Sequence, residues 1–223
     1  SVPEFEIGKS EFSPSFQFIE KKEAIQSSIR IGSPLISYEH KDFTRLKVMN
    51  TIFGGYFGSR LMANIREEKG YTYGIGSGFS GTKAAGPFTI SSRVRTNVTL
   101  ESAQLVKKII TDYPKNYSEK DLATTKGFLI KSNARRFETM RAKLSMLENM
   151  SSFGFSSDYI KDREKIVNEM TIERIQELSK KYVNPNKMIW LFVGDAESQL
   201  DRLNELGFGT PILLNQTKEK IKQ

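Results

Sequence analysis

The sequence predicts an α+β domain of two layers, a mainly antiparallel sheet covered on one face by helices. Segments with alternating apolar residues cluster before residue 95 and return once near residue 190, and segments with helical spacing fill the interval. Neither an internal repeat nor a second composition regime interrupts the 223 residues. The chain therefore reads as one domain over 16–214, with 1–15 as a linker or arm and 215–223 as a polar tail.

Residues 1–15 mix Pro, Ser, Glu and Phe without periodicity. Phe16 and Phe18, then residues 24–31, alternate as two short strands around the charged turn Glu20-Lys21-Lys22-Glu23, and Gly32-Ser33-Pro34 closes the second. Phe43, Leu46, Val48, Met49, Ile52 and Phe53 recur at helical spacing until Gly54-Gly55. A second helix is expected over 59–69, with Leu61, Met62 and Ile65 apolar and Gly70 as its stop. Residues 72–80 read as a strand with Tyr73, Ile75 and Phe79 on one face. Gly74, Gly76 and Gly78 leave the other face open to close backbone approach. Phe88, Ile90 and Val94 mark a further strand after Gly86-Pro87.

The second half is mostly helical. Ala103, Val106, Ile110 and Tyr113 define one helix, expected to close at Pro114. Ser118 caps a long stretch carrying Leu122, Leu129, Phe137, Met140, Leu144 and Leu147, with a break expected near Gly127 or within 133–138. Thr171 caps another helix ending at Asn184-Pro185, residues 188–193 form an apolar strand, and a final helix around 200–206 stops at Gly207.

Composition excludes several chemistries. There is no cysteine, hence no disulfide, thiolate nucleophile or Cys-ligated zinc. The single histidine, His40, lies in the polar stretch Tyr38-Glu39-His40-Lys41-Asp42 and reads as an exposed loop or cap residue. One imidazole cannot build a catalytic zinc site that draws on two or three. The net charge of +8 raises the question of nucleic acid. The positive residues from Lys107 to Lys143 are interleaved with Glu119, Asp121 and Glu138, and no arginine-rich run or aromatic–basic motif appears. A solvated helix face, or a surface that attracts acidic peptides or a negative partner domain, is the expectation; nucleic acid and membrane are not expected partners. No apolar run approaches the ~18–20 residues that span a bilayer. The chain opens Ser1-Val2-Pro3 without a methionine, as a processed or excised chain does, and without a signal peptide. A soluble protein of cytoplasm or periplasm fits, with the compartment open.

The informative window runs over residues 50–94: Gly54-Gly55, then Ser59-Arg60-Leu61, then Arg66-Glu67 with Gly70 and Tyr73, then Gly86-Pro87-Phe88. It is a helix, a glycine elbow, a second helix, a tight turn and a strand. A chain reversing at Lys69-Gly70 brings Arg66 and Tyr73 over one surface. There a guanidinium fork could grip carbonyls and a phenol could donate to an oxyanion. From chemistry alone the helix dipole accounts for Arg66 and β-propensity for Tyr73. The glycine elbow lacks the Gly-Lys-Ser/Thr ending of a phosphate loop.

This ordered pattern resembles the C-terminal, non-catalytic domain of the insulinase and mitochondrial-processing-peptidase family, the inverted-zincin metallopeptidases. The likeness extends over residues 24–195 and takes in 122–126, Thr171, 182–186 and Val193-Gly194-Asp195. The resemblance implies a domain that closes with a homologous zinc-carrying partner around an extended peptide. The partner, fused upstream or a separate subunit, would bear His-x-x-Glu-His, a motif this chain lacks. It implies no cofactor on this chain, zinc in the partner domain, no catalytic or metal-ligating residue here, and Arg66 and Tyr73 as substrate-binding and transition-state-supporting residues. The alternative within the same likeness is a structural relative of respiratory-complex core subunits, with no peptidase activity.

Overall fold

The computed structural model describes residues 11–135 and 138–214. Alternating burial sets its strands. Phe16 and Phe18 of β1 (Ser15–Glu20), Ile29 and Ile31 of β2 (Gln26–Pro34), and Ile75 of β3 (Thr72–Phe79) are buried. So are Phe88, Ile90 and Val94 of β4 (Pro87–Arg95) and Trp190 and Phe192 of β5 (Ile189–Gly194). With the short β6 (Ile212–Leu214) they form one sheet in the order β3-β4-β2-β5-β1-β6. The β3/β4, β4/β2 and β2/β5 pairs are antiparallel, and β5/β1 and β1/β6 are parallel. The two strands read on either side of the Glu20–Glu23 turn are therefore not neighbours: β5 lies between them. β2 also runs through Gly32 to Pro34, which pairs with Pro87 at the strand end.

Helices cover the buried face, as the sequence led us to expect. α1 (Phe43–Asn50) contributes Leu46 and Met49 to the core, and α2 (Thr99–Asn116) contributes Ala103, Val106, Ile110 and Tyr113. Pro114 does not close α2; it sits buried in the last turn, where one lost backbone bond is tolerated because the helix ends two residues later. α3 (Glu119–Arg135) starts in a reciprocal cap: Asp121 N–H donates to Ser118 Oγ at 3.2 Å and Ser118 N–H to Asp121 Oδ2 at 2.8 Å. It passes Gly127 unbroken, so the break falls at the second expected place, before α4 (Met140–Phe153), whose cap is Thr139.

α5 (Tyr159–Glu169) was not foreseen; it buries only Tyr159 and Val167, too few to mark a period. α6 (Ile172–Tyr182) begins at Thr171, whose Oγ1 accepts from Arg174 N at 3.3 Å. The final helical region is a short α7 (Ala196–Gln199) and a 3₁₀ turn (Arg202–Leu206) ending at Gly207. Among the described residues no helix is long and apolar enough to cross a membrane.

α1 and α6 are joined by an ion pair at Asp42, whose side chain is 2% exposed. Arg174 Nη2 donates to Asp42 Oδ1 at 2.7 Å and the Tyr182 hydroxyl to Oδ2 at 3.2 Å. Burial pushes this carboxyl up, but the Arg174 hydrogen bond and charge and the Tyr182 hydrogen bond together hold it below its ordinary value. A carboxyl lowered on folding stabilises the fold above its unfolded pKa, about 3.9, and loses that contribution as pH falls through the folded value. Arg174→Ala should destabilise the protein by about 2 kcal/mol at neutral pH, below the full cost of breaking a fully buried pair because Arg174 is a third exposed. Urea melts should show the deficit shrinking below about pH 4; an equal deficit at both pH values would contradict the assignment.

Candidate functional site

The window from α1 to β4 folds as one unit. α1 widens into a π-helical turn (Thr51–Gly55), the chain turns at Tyr56–Ser59, and a second wide helix (Met62–Glu68) follows. Gly54 is where the first turn meets β3. A Cβ there would strike Ser77 Oγ and come within 2.7 Å of Leu61 Cδ1 and 2.8 Å of Ser77 N. Asn50 seals the same junction, donating to Ser77 O at 3.0 Å and accepting from Ser77 Oγ at 2.5 Å. Gly54→Ala should therefore force the turn from β3 and lower stability by about 1–3 kcal/mol. A variant that melts with the parent protein would show that the junction gives way freely.

The second helix closes at Gly70, which has φ +62°. Gly70 N–H donates to Arg66 O at 3.0 Å and Tyr71 N–H to Ile65 O at 3.0 Å, a left-handed closure one residue wider than usual. The latter bond ties the chain beside Arg66 to the start of β3.

β3 then departs from the even pleat that the sequence suggested. Its register against β4 shifts between Thr72 and Ile75. Hydroxyls stitch the irregularity: Gly74 N–H donates to Thr72 Oγ1 at 3.1 Å, and Ser92 Oγ donates to Gly74 O at 3.0 Å. Tyr73 is consequently thrown off the face of Ile75 and Phe79 and stands 92% exposed, whereas Ile75 is buried and Phe79 packs against the core. Of the three glycines opposite, only Gly76 meets a neighbour, with Gly54 O lying 3.2 Å from where its Cβ would stand.

The two arginines of the window differ in their commitments. Arg60 lies 5.1 Å over the Tyr113 ring, donates to Asp121 Oδ2 at 2.7 Å and also bonds Asn116 O. The Arg66 side chain makes no hydrogen bond or ion pair among the described residues; its guanidinium lies 4.7 Å from the centre of the Phe57 ring. The Tyr73 hydroxyl likewise bonds no group among the described residues. Phe57 was not singled out in the sequence, although an aromatic pair, Tyr56-Phe57, between Gly55 and Gly58 was a signal available there.

The described residues do not fit a zinc site. Among the described residues no group of three or more His, Cys, Asp or Glu side chains is placed to hold a metal ion. His40 is engaged locally, its Nδ1 accepting from Asp42 N at 3.0 Å. An apolar cavity of about 370 Å³ opens on the other face of the sheet among Phe12, Pro34, Ile189 and Leu191, with neither Arg66 nor Tyr73 in its wall.

The site is thus a helix-covered sheet carrying a half-buried Arg66 and an exposed Tyr73, without a metal-ligand cluster among the described residues. The chain belongs to the peptidase M16 inactive domain family, whose model matches residues 3–129. It is 26% identical over 199 residues to a Helicobacter pylori protein named non-peptidase homolog YmxG, covering 85% of this chain and 46% of the relative. A Bacillus subtilis protein named uncharacterized zinc protease YmxG is 25% identical over 126 residues, 56% of this chain and 31% of that one. The crystal structure of a peptidase M16 inactive domain from Pseudomonas fluorescens superposes with a TM-score of 0.75 at 28% identity, over 85% of this chain and 46% of that chain. The chain thus spans less than half the length of these relatives.

Proposed function

We propose that the chain is the substrate-binding, non-catalytic half of a zinc endopeptidase whose metal is held by a homologous partner domain carrying His-x-x-Glu-His. In this reading Arg66 grips a carbonyl of an extended peptide and Tyr73 donates to the oxygen of the attacked carbonyl as negative charge develops on it. The observation that carries it is the uncommitted state of both polar heads. Arg60, Asn50, Thr72 and Ser92 nearby all spend their polar groups on the fold, and among the described residues the side chains of Arg66 and Tyr73 do not. Neither the helix dipole nor β-propensity requires a free guanidinium and a free phenol within one helix–turn–strand unit.

Pure chain should retain no stoichiometric zinc after dialysis and should not hydrolyse a quenched fluorescent peptide, because its described residues offer no three-ligand set. Zinc at one equivalent with chelator-sensitive cleavage by the pure chain would refute the division of labour. A second reading, assembly without catalysis, is favoured by the name of the Helicobacter pylori relative as a non-peptidase homolog. It predicts that a complex with a zinc-bearing half forms but gains no peptidase activity from this chain.

A further inference from the structure

Phe57 stands 62% exposed in the turn between the two wide helices, although its neighbour Tyr56 packs against the core. The turn that presents it is held in place. Ser59 N–H donates to Tyr56 O at 3.1 Å, and the Tyr56 ring packs against Phe128 with centroids 5.3 Å apart. Burial would be the ordinary use of a phenylalanine, and a fixed loop that covers Tyr56 while leaving Phe57 in water forgoes it.

The Arg66 guanidinium supplies a reason. A cation stacked on a ring face is fixed in position while the N–H groups in its own plane remain free. A carboxylate partner would fix it equally well and consume those donors. Phe57 thus orients Arg66 without blocking it, and much of the ring's own surface stays open.

We infer that Phe57 sets specificity at this site: its exposed ring receives an apolar or aromatic side chain of the bound peptide beside the carbonyl that Arg66 holds. This rests on the reading of Arg66 given above. The ligand class is an extended peptide with a large apolar residue at that position. Phe57 acts there by contact with the peptide and acts on Arg66 as a positioning residue.

The test uses dye-labelled peptides identical except for one central residue, Phe, Leu, Ala or Asp, titrated against the chain by fluorescence anisotropy. The parent protein should bind the Phe and Leu peptides about fivefold to tenfold more tightly than the Ala peptide. Phe57→Ala should abolish that preference at an unchanged melting temperature, and Phe57→Trp should restore it. Arg66→Ala should weaken the Phe, Leu and Ala peptides alike and keep their ranking. If Phe57→Ala leaves the ranking intact while Arg66→Ala still weakens binding, the specificity role is overturned and the Arg66 reading survives. Tightest binding of the Asp peptide would overturn the apolar assignment. Failure of the parent to bind any peptide, or indifference to Arg66→Ala, would remove both.

Discussion

Tyr73→Phe should lower kcat of a peptidase assembled from this chain and its zinc-bearing partner by on the order of 10²–10³-fold, with little change in KM. The size follows from removing a single donor aimed at an oxyanion, a loss felt mainly as the reaction proceeds. The substitution deletes one oxygen from a side chain that is 92% exposed and has no hydrogen-bond partner among the described residues. The melting temperature should not move, and even Tyr73→Ala should leave the fold intact. A fall in stability with normal kcat would assign Tyr73 to the sheet instead; steady-state kinetics beside a melting curve separates the outcomes.

Arg66→Ala should raise KM and lower kcat together, reducing kcat/KM by roughly 10- to 100-fold, the worth of a hydrogen bond from a charged donor. In the proposed role the guanidinium would grip the peptide before and during reaction, so the loss would not be confined to one step. Arg66→Lys should recover little, since an ammonium has neither the planar fork nor the same stacking on Phe57. Stability should scarcely change, because Arg66 makes no ion pair among the described residues. The contrast is Arg60→Ala, which removes the bonds to Asp121 and Asn116 and should destabilise the junction of α3 with this unit. Comparable melting losses for both arginines, with unaltered kinetics for Arg66→Ala, would reverse the roles given to them.

The sheet and its helix layer were legible because their residues carry strong periods. Phe16 and Phe18, Phe88 to Val94 and the run around Trp190 alternate, and α1 and α2 bury regular stripes. What depended on long-range pairing was not legible. Nothing in residues 15–34 tells that β5 will insert between β1 and β2, since that order is settled by segments some 160 residues apart in the chain. α5 was hidden by its polarity, and Pro114 misled because a proline near a helix end is compatible with the helix continuing briefly.

At the site, Arg66 and Tyr73 could be nominated from their setting between Ser59 and Phe88. The irregularity at Thr72–Ile75 could not, because a period-two reading assumes an even pleat and so placed Tyr73 beside Ile75 and Phe79. That irregularity converts an apparent packing residue into an exposed donor. Phe57 escaped notice because the glycines around it drew the reading toward chain reversal rather than toward the aromatic they present.

The central claim is that this chain equips a zinc site on another domain to handle peptide. Its most direct measurement is kcat/KM for one quenched peptide, using a His-x-x-Glu-His-bearing half with no addition, with this chain, and with the chain carrying both Arg66→Ala and Tyr73→Phe. The expected result is a rise on the order of 10²-fold or more with the parent chain and little or none with the double variant, both chains binding the partner equally. Equal rates with the parent chain and the double variant would contradict it.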